Sequence, residues 1–207
     1  MCNDYAREIE AGRVIAAMKE MEDVPPFSYT GGRIPNDASP TAHIKIRDRG
    51  LVVRLRDARL EGEAMTWAWF QGKRPVFNFV SEGRDFSGSD RCLVLATSFY
   101  EYTAPEERKP KIKLQDQHQF TLKGTEWFWI AGIVKQDCFA MLTVAPGPDI
   151  APYHDRQIVV LPPNEGMAWL SLNKPESQVL KSLPKGRLIH QLVRKNGIET
   201  RSSASRS

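Results

Sequence analysis

Two stretches of this chain, "WFWIAGIV" at 127–134 and "CFAMLTV" at 138–144, are almost continuously apolar and stand three residues apart. A strand with one face in water alternates apolar and polar side chains, because successive residues point to opposite sides of the sheet. Runs that lack this alternation are buried on both faces, so apolar material must cover each side of the sheet they enter. Neither run approaches the roughly 20 apolar residues that cross a bilayer, so no membrane partner is expected.

Further β-rich runs surround this pair: "AHIKI", "LVVRLRD", "RCLVLATSFYEY", "HQFTLK" and "RQIVVL". The first two flank "RDRG", where Gly50 suits a tight turn and predicts a hairpin. Residues 6–22 place Ile9, Ile15, Met18 and Met21 near one side at helical spacing, which predicts an amphipathic helix. The Gly, Pro, Ser and Asn of "FSYTGGRIPNDASPTAHI" predict a loop after it. Near the end, Asn164 is a candidate N-cap and Pro175 marks a second helix start. The expected fold is α+β: a β-rich, partly barrel-like core of mixed or antiparallel strands, an N-terminal helix and short C-terminal helices.

At 207 residues, 41% hydrophobic, the chain suits one domain, placed at residues 1–185. Residues 186–207 carry Arg187, Arg194, Lys195, Arg201 and Arg206 against one acid, Glu199, and read as a basic segment with flexible last residues. The net charge of +4 permits a nucleic-acid partner without requiring one. The acidic N-terminal stretch is unlike an export signal, which points to the cytoplasm, and monomer is the default state. The three cysteines are odd in number and widely spaced, and the four histidines are scattered, so neither a disulfide framework nor a metal site is expected. Cys92 and Cys138 sit in apolar runs and read as core residues, whereas Cys2 does not. The chain has no GxGxxG, GxxxxGK[ST] or HExxH, and no cofactor is implied.

Three polar residues interrupt apolar or aromatic surroundings: Asn78 in "PVFNFV", Glu101 in "SFYEYT" and His154 in "APYHDRQIVVL". Alone, each has an ordinary reading, as a turn amide, an exposed strand carboxylate and a loop histidine. With Cys2 they form an ordered set. "MCNDY" at the start, "RIPNDASP" with Arg33, "MTWAWF" with Trp67, "FNFVSEGRDF" with Asn78, "RCLVLATSFYEYT" with Arg91 and Glu101, and "TVAPGPDIAPYHDRQIVVL" with His154 and Arg156 run in order from residue 2 to residue 161. The set resembles the SOS response-associated peptidase (SRAP) family, whose members begin Met-Cys and attach covalently to abasic sites in single-stranded DNA. Asn3-Asp4 stand where that family usually has Gly-Arg, and Val80 stands where it has an arginine; Arg84 follows nearby.

The resemblance implies a role in the DNA-damage response, with Cys2, Asn78, Glu101 and His154 as the catalytic set after removal of Met1. An N-terminal cysteine presents an amine and a thiol two carbons apart. The amine can form an imine with the ring-opened aldehyde, and the thiol can close a thiazolidine. An internal cysteine lacks that amine. His154 would assist at the deoxyribose, Glu101 at the amine and its iminium, and Asn78 would hold the N-terminus. DNA contacts would come from Arg33, Arg84, Arg91 and Arg156, with Trp67 or Tyr100 as stacking surfaces. The same residues fit an N-terminal-cysteine peptidase acting on its own leader, and a non-covalent single-strand binding module is the third reading.

Overall fold

The computed structural model describes residues 2–105 and 115–200. Its strands in chain order are β1 (Asp4–Arg7), β2 (Phe27–Tyr29), β3 (Thr41–Lys45), β4 (Arg49–Arg56), β5 (Arg59–Trp67), β6 (Trp69–Gln71), β7 (Arg74–Val76), β8 (Asn78–Val80), β9 (Asp90–Ala96), β10 (Ser98–Thr103), β11 (Asp116–Leu122), β12 (Phe128–Lys135), β13 (Cys138–Val144), β14 (Gln157–Ile158), β15 (Val160–Leu161), β16 (Leu188–Lys195) and β17 (Ile198–Glu199). The helices are α1 (Ala11–Lys19), α2 (Gly166–Ser171) and α3 (Glu176–Val179). None of the described helices is long and apolar enough to cross a membrane.

One sheet orders its strands β17-β16-β11-β10-β1-β3, antiparallel throughout. The other runs β14-β13-β12-β9-β4-β5-β2, with β15 beside β12 and β8 beside β13. In it β13 also returns to β5 through Cys138↔Thr66 and Phe139↔Trp67, which closes β13, β12, β9, β4 and β5 into a ring. This is the barrel-like core expected of an α+β chain. Two-residue turns with both residues left-handed, Asp57-Ala58, Gln136-Asp137 and Asn196-Gly197, join the hairpins β4–β5, β12–β13 and β16–β17. Such turns match the twist of the strands they connect.

The two apolar runs are β12 and β13, and they are buried on both faces. Trp129, Ala131 and Ile133 of β12 pack with Leu93, Leu95, Ala140 and Leu142, under Val14 and Met18 of α1 and Trp169 of α2. Phe128 and Ile130 point the other way, into a second core with Val94, Phe139 and Met141, completed by Tyr5, Phe99 and Phe120 of the six-stranded sheet. The ring of strands therefore has helices on one side and a second sheet on the other.

Several expectations change. β3 and β4 are not a hairpin: β3 pairs with β1 in one sheet, and β4 with β5 and β9 in the other. The connection turns at Arg47, with φ of 80°. Gly50 lies within β4, where a Cβ would come 2.0 Å from the Tyr5 hydroxyl. The N-terminal helix starts later than residue 6, because Asp4–Arg7 are drawn into the sheet by pairing with Phe99 and Ile44. Its buried stripe is Ala11, Val14 and Met18, with Ile15 and Met21 only half-buried. Asn164 lies inside a 3-10 turn, Pro163–Glu165, and makes no capping bond, while Pro175 does precede α3. Cys92 is fully buried, but Cys138 opens β13 at its turn end and is half-buried. β2 lies within the expected loop and pairs parallel with β5, while β3 coincides with the expected strand "AHIKI". From residue 186 on, where composition is basic, β16 is an eight-residue strand beside β11. Residues 201–207, expected to be flexible, lie outside the described residues.

Candidate functional site around Cys2

Cys2 leads into β1 at the edge of the core between the sheets and is only 1% exposed. Its thiol donates to Asp4 O at 3.3 Å. Burial first, and then the Glu101 carboxylate, push the thiol pKa well above the ordinary cysteine value. The Asn78 side-chain Nδ2 donates to Cys2 O at 2.7 Å across 76 residues of sequence. Asn78 is placed there by β8, which pairs parallel with β13 at Met141. Its Oδ1 is buried and has no partner among the described residues, an acceptor left inside the site.

Glu101 lies on β10 opposite His118 of β11. It is not the exposed strand carboxylate that its neighbours would allow, being only 1% exposed. Desolvation pushes its pKa up to about 7, against a hydrogen bond from the Cys2 main-chain nitrogen. Asp155 adds to the upward shift. A carboxyl with such a pKa is partly protonated at neutral pH and can both give and take a proton.

His154 ends a turn in which Tyr153 N and His154 N both donate to Ile150 O, at 2.8 and 3.0 Å. Its Nδ1 lies 2.9 Å from the Arg156 main-chain nitrogen. Asp155 Oδ1 lies 2.8 Å from the same ring nitrogen. Burial lowers the His154 pKa, with Asp155 opposing. Asn78 thus holds the Cys2 carbonyl, and Glu101 accepts a hydrogen bond from the main-chain nitrogen of the same residue.

The residues expected on DNA are not gathered in the same way. Trp67 is fully buried, its Nε1 donating to Phe77 O at 2.9 Å and its ring set against Tyr5, Phe77 and Phe139. It is a core side chain with no free face to stack on a base. Tyr100 is 5% exposed and its ring stacks on His43. Arg91 donates to the carbonyls of Phe86, Ser87 and Leu170, which ties strand β9 to α2. Arg156 makes a two-pronged pair with Glu82 at 2.8 and 2.7 Å and also donates to Thr143 O. Arg33 and Arg84 are exposed, Arg84 lying over the Phe79 ring at 4.4 Å.

Glu82 is a residue the sequence reading missed. Its bonds from Arg156 hold its carboxyl down at about 2. It also accepts the Ala145 N–H at 2.7 Å. The pair clasps the segment after β8, which carries Asn78, to the segment after β13, which leads to His154. Only a fold could disclose it, since the partners are 74 residues apart. Among the described residues no group of three or more His, Cys, Asp or Glu side chains could hold a metal ion.

Residues 80–196, more than half the chain, match the family described as SOS response associated peptidase (SRAP). A curated relative, the abasic site processing protein YobE of Bacillus subtilis, is 31% identical over 101 residues, and the match covers 46% of this chain and 46% of that protein, so it spans about half the relative's length. Two solved structures share the fold: a protein from Bacteroides thetaiotaomicron, with TM-score 0.67 and 15% identity over 93% of this chain and 92% of that one, and a phage-related protein from Bordetella bronchiseptica, with TM-score 0.67 and 19% identity over 94% and 95%. The chain belongs to the SOS response associated peptidase family.

Proposed function

We propose that this chain acts in the response to DNA damage by binding single-stranded DNA and joining Cys2, freed of Met1, covalently to abasic sites. The observation that carries the reading is the surroundings of the Cys2 nitrogen. It hydrogen-bonds a carboxyl whose pKa is about 7, while Asn78 fixes the carbonyl of the same residue. Loss of Met1 turns that nitrogen into an α-amine of pKa roughly 7.7–8.0, already beside a proton acceptor. The name of the Bacillus subtilis relative supports the choice of substrate.

The steps balance without oxidant or cofactor. Opening of the deoxyribose breaks the C1′–O4′ bond: His154 takes the proton of the C1′ hydroxyl as the ring oxygen gains one from water, which leaves the aldehyde. The amine adds to the aldehyde carbon, and Glu101 takes the amine proton and returns it to the departing hydroxyl, which leaves as water. The Cys2 sulfur then adds to the imine carbon and its proton passes to the imine nitrogen, which completes the thiazolidine. A thiol is needed only in this last step, so its raised pKa does not obstruct the amine. A peptidase would need a thiolate from the start, which burial and Glu101 disfavour. Arg33 and Arg84, the exposed arginines of the expected set, are the proposed backbone contacts.

The test is a denaturing gel of the protein with single-stranded DNA carrying one abasic site, after intact mass shows that Met1 is gone. A shifted band is expected, lost in Cys2→Ala while non-covalent binding stays within about twofold. Absence of the band from protein lacking Met1 sinks the reading, and a cleaved peptide in its place favours the peptidase.

A further inference from the structure

One polar run is left unused by this chemistry, and it crosses the six-stranded sheet to reach the His154 turn. Thr103 Oγ1 lies 2.8 Å from His118 Nε2, His118 Nδ1 lies 2.9 Å from His190 Nε2, and His190 Nδ1 lies 3.2 Å from the Tyr153 hydroxyl. Each contact holds one proton. Two neutral imidazoles and two hydroxyls supply a consistent set in either direction along the chain, with one proton on each ring. A second charge on the pair would set N–H against N–H between the rings.

The Tyr153 ring is clamped as well as bonded. It stacks on His190 with centroids 4.6 Å apart, tilts against His118 at 4.6 Å and meets Phe120 edge-on at 5.3 Å. The same loop is tied to the approach of β16 a second time, because the Asp149 carboxylate accepts the N–H groups of Gly186 and Leu188 at 2.8 and 3.0 Å. Tyr153 is the residue before His154, and their amides share the Ile150 carbonyl, so the two move together. Apolar side chains alone would pack this junction. The hydrogen bonds of the run, which reaches solvent at the exposed His190, add a preferred orientation to that packing.

We propose that His190, backed by His118, is a positioning residue for His154: through Tyr153 it holds the His154 turn against β16 and so sets the imidazole at the reacting sugar. This rests on the crosslinking reading. It also gives β16 a part in the site that its basic composition does not suggest.

The experiment measures the single-turnover rate of adduct formation across pH and, separately, the affinity for the same single-stranded oligonucleotide with its abasic site. His190→Ala and Tyr153→Phe should each slow the adduct step about tenfold, with affinity within twofold, since small misplacement of a catalytic group is costly. His190→Asn keeps a polar atom near the position of Nδ1 and should recover most of the rate. The pH profile of the slow variants should lose the limb that His154→Ala also removes. Should His190→Ala fail to fold, Tyr153→Phe, which keeps the ring in its stack, decides. Wild-type rates in both variants overturn this inference alone, and a wild-type protein that forms no adduct overturns the crosslinking reading together with it.

Discussion

The two sides of the strand ring are built from different materials. On the helix side the core is apolar throughout, with Trp129, Trp169 and Phe86 among its largest members. Polar atoms within it are partnered where Trp169 Nε1 donates to both Cys92 O and Gly132 O. On the side facing the second sheet the same strands meet Cys2, Tyr5 and Phe120, with Glu101 and His118 buried nearby. The difference teaches a division of labour: one face supplies stability, and the other carries groups whose burial costs stability and gives them unusual proton affinity.

The largest effect should come from the helix side. Trp169→Ala removes a fully buried ring and two hydrogen bonds, and should lower stability in urea by roughly 3–5 kcal/mol. A loss below about 1 kcal/mol would mean that this face does not carry the fold.

Glu101→Gln should move the other way. Folding raises the Glu101 pKa from 4.5 to about 7, so its contribution is complete below pH 4.5 and is lost as pH rises through 7, where a charge must be buried. At pH 8 the neutral variant should be more stable than wild type by up to about 3 kcal/mol, near equal at pH 4, and slow in forming the adduct. Equal stability of the two proteins from pH 4 to pH 8 would erase the contrast between the faces.

Gly50→Ala probes how tightly the sheets close. With the new methyl forced against the Tyr5 hydroxyl, overpacking should cost about 1–3 kcal/mol. Adding Tyr5→Phe, which deletes that oxygen, should recover part of the loss; additive losses would show that the two residues do not meet. The smallest effect belongs to the exposed Arg84. Arg84→Ala should change stability by no more than about 0.5 kcal/mol while weakening binding of single-stranded DNA and reducing its salt dependence.

How much could be read in advance depended on whether a residue's role was local. β12 and β13 were legible because a continuous apolar run states its own double burial. β5 was not, since "RLEGEAMTW" places Glu61 and Glu63 among its apolar residues, and the pairing of Glu63 with Arg54 appears only in the fold. β1 reads as helix by composition, and its strand pairing is imposed from outside by β10 and β3. β16 presents exposed polar and basic side chains along an outer sheet strand, which composition cannot distinguish from a solvated segment. Cys2, Asn78, Glu101 and His154 were visible through the motifs that carry them. Glu82, Tyr153, His118 and His190 were not, because partners 37 to 74 residues away leave no local mark.

The 76-residue span of the Asn78–Cys2 bond has a consequence in time. Cys2 leaves the ribosome well before Asn78 and Glu101, the groups that enclose it. At about 5–20 residues per second that delay is on the order of ten seconds. Once the sheets close, Cys2 is 1% exposed, out of reach of an aminopeptidase. On the proposed reading, in which Cys2 acts through its amine, the removal of Met1 therefore belongs to the nascent chain, before the fold shuts around that residue.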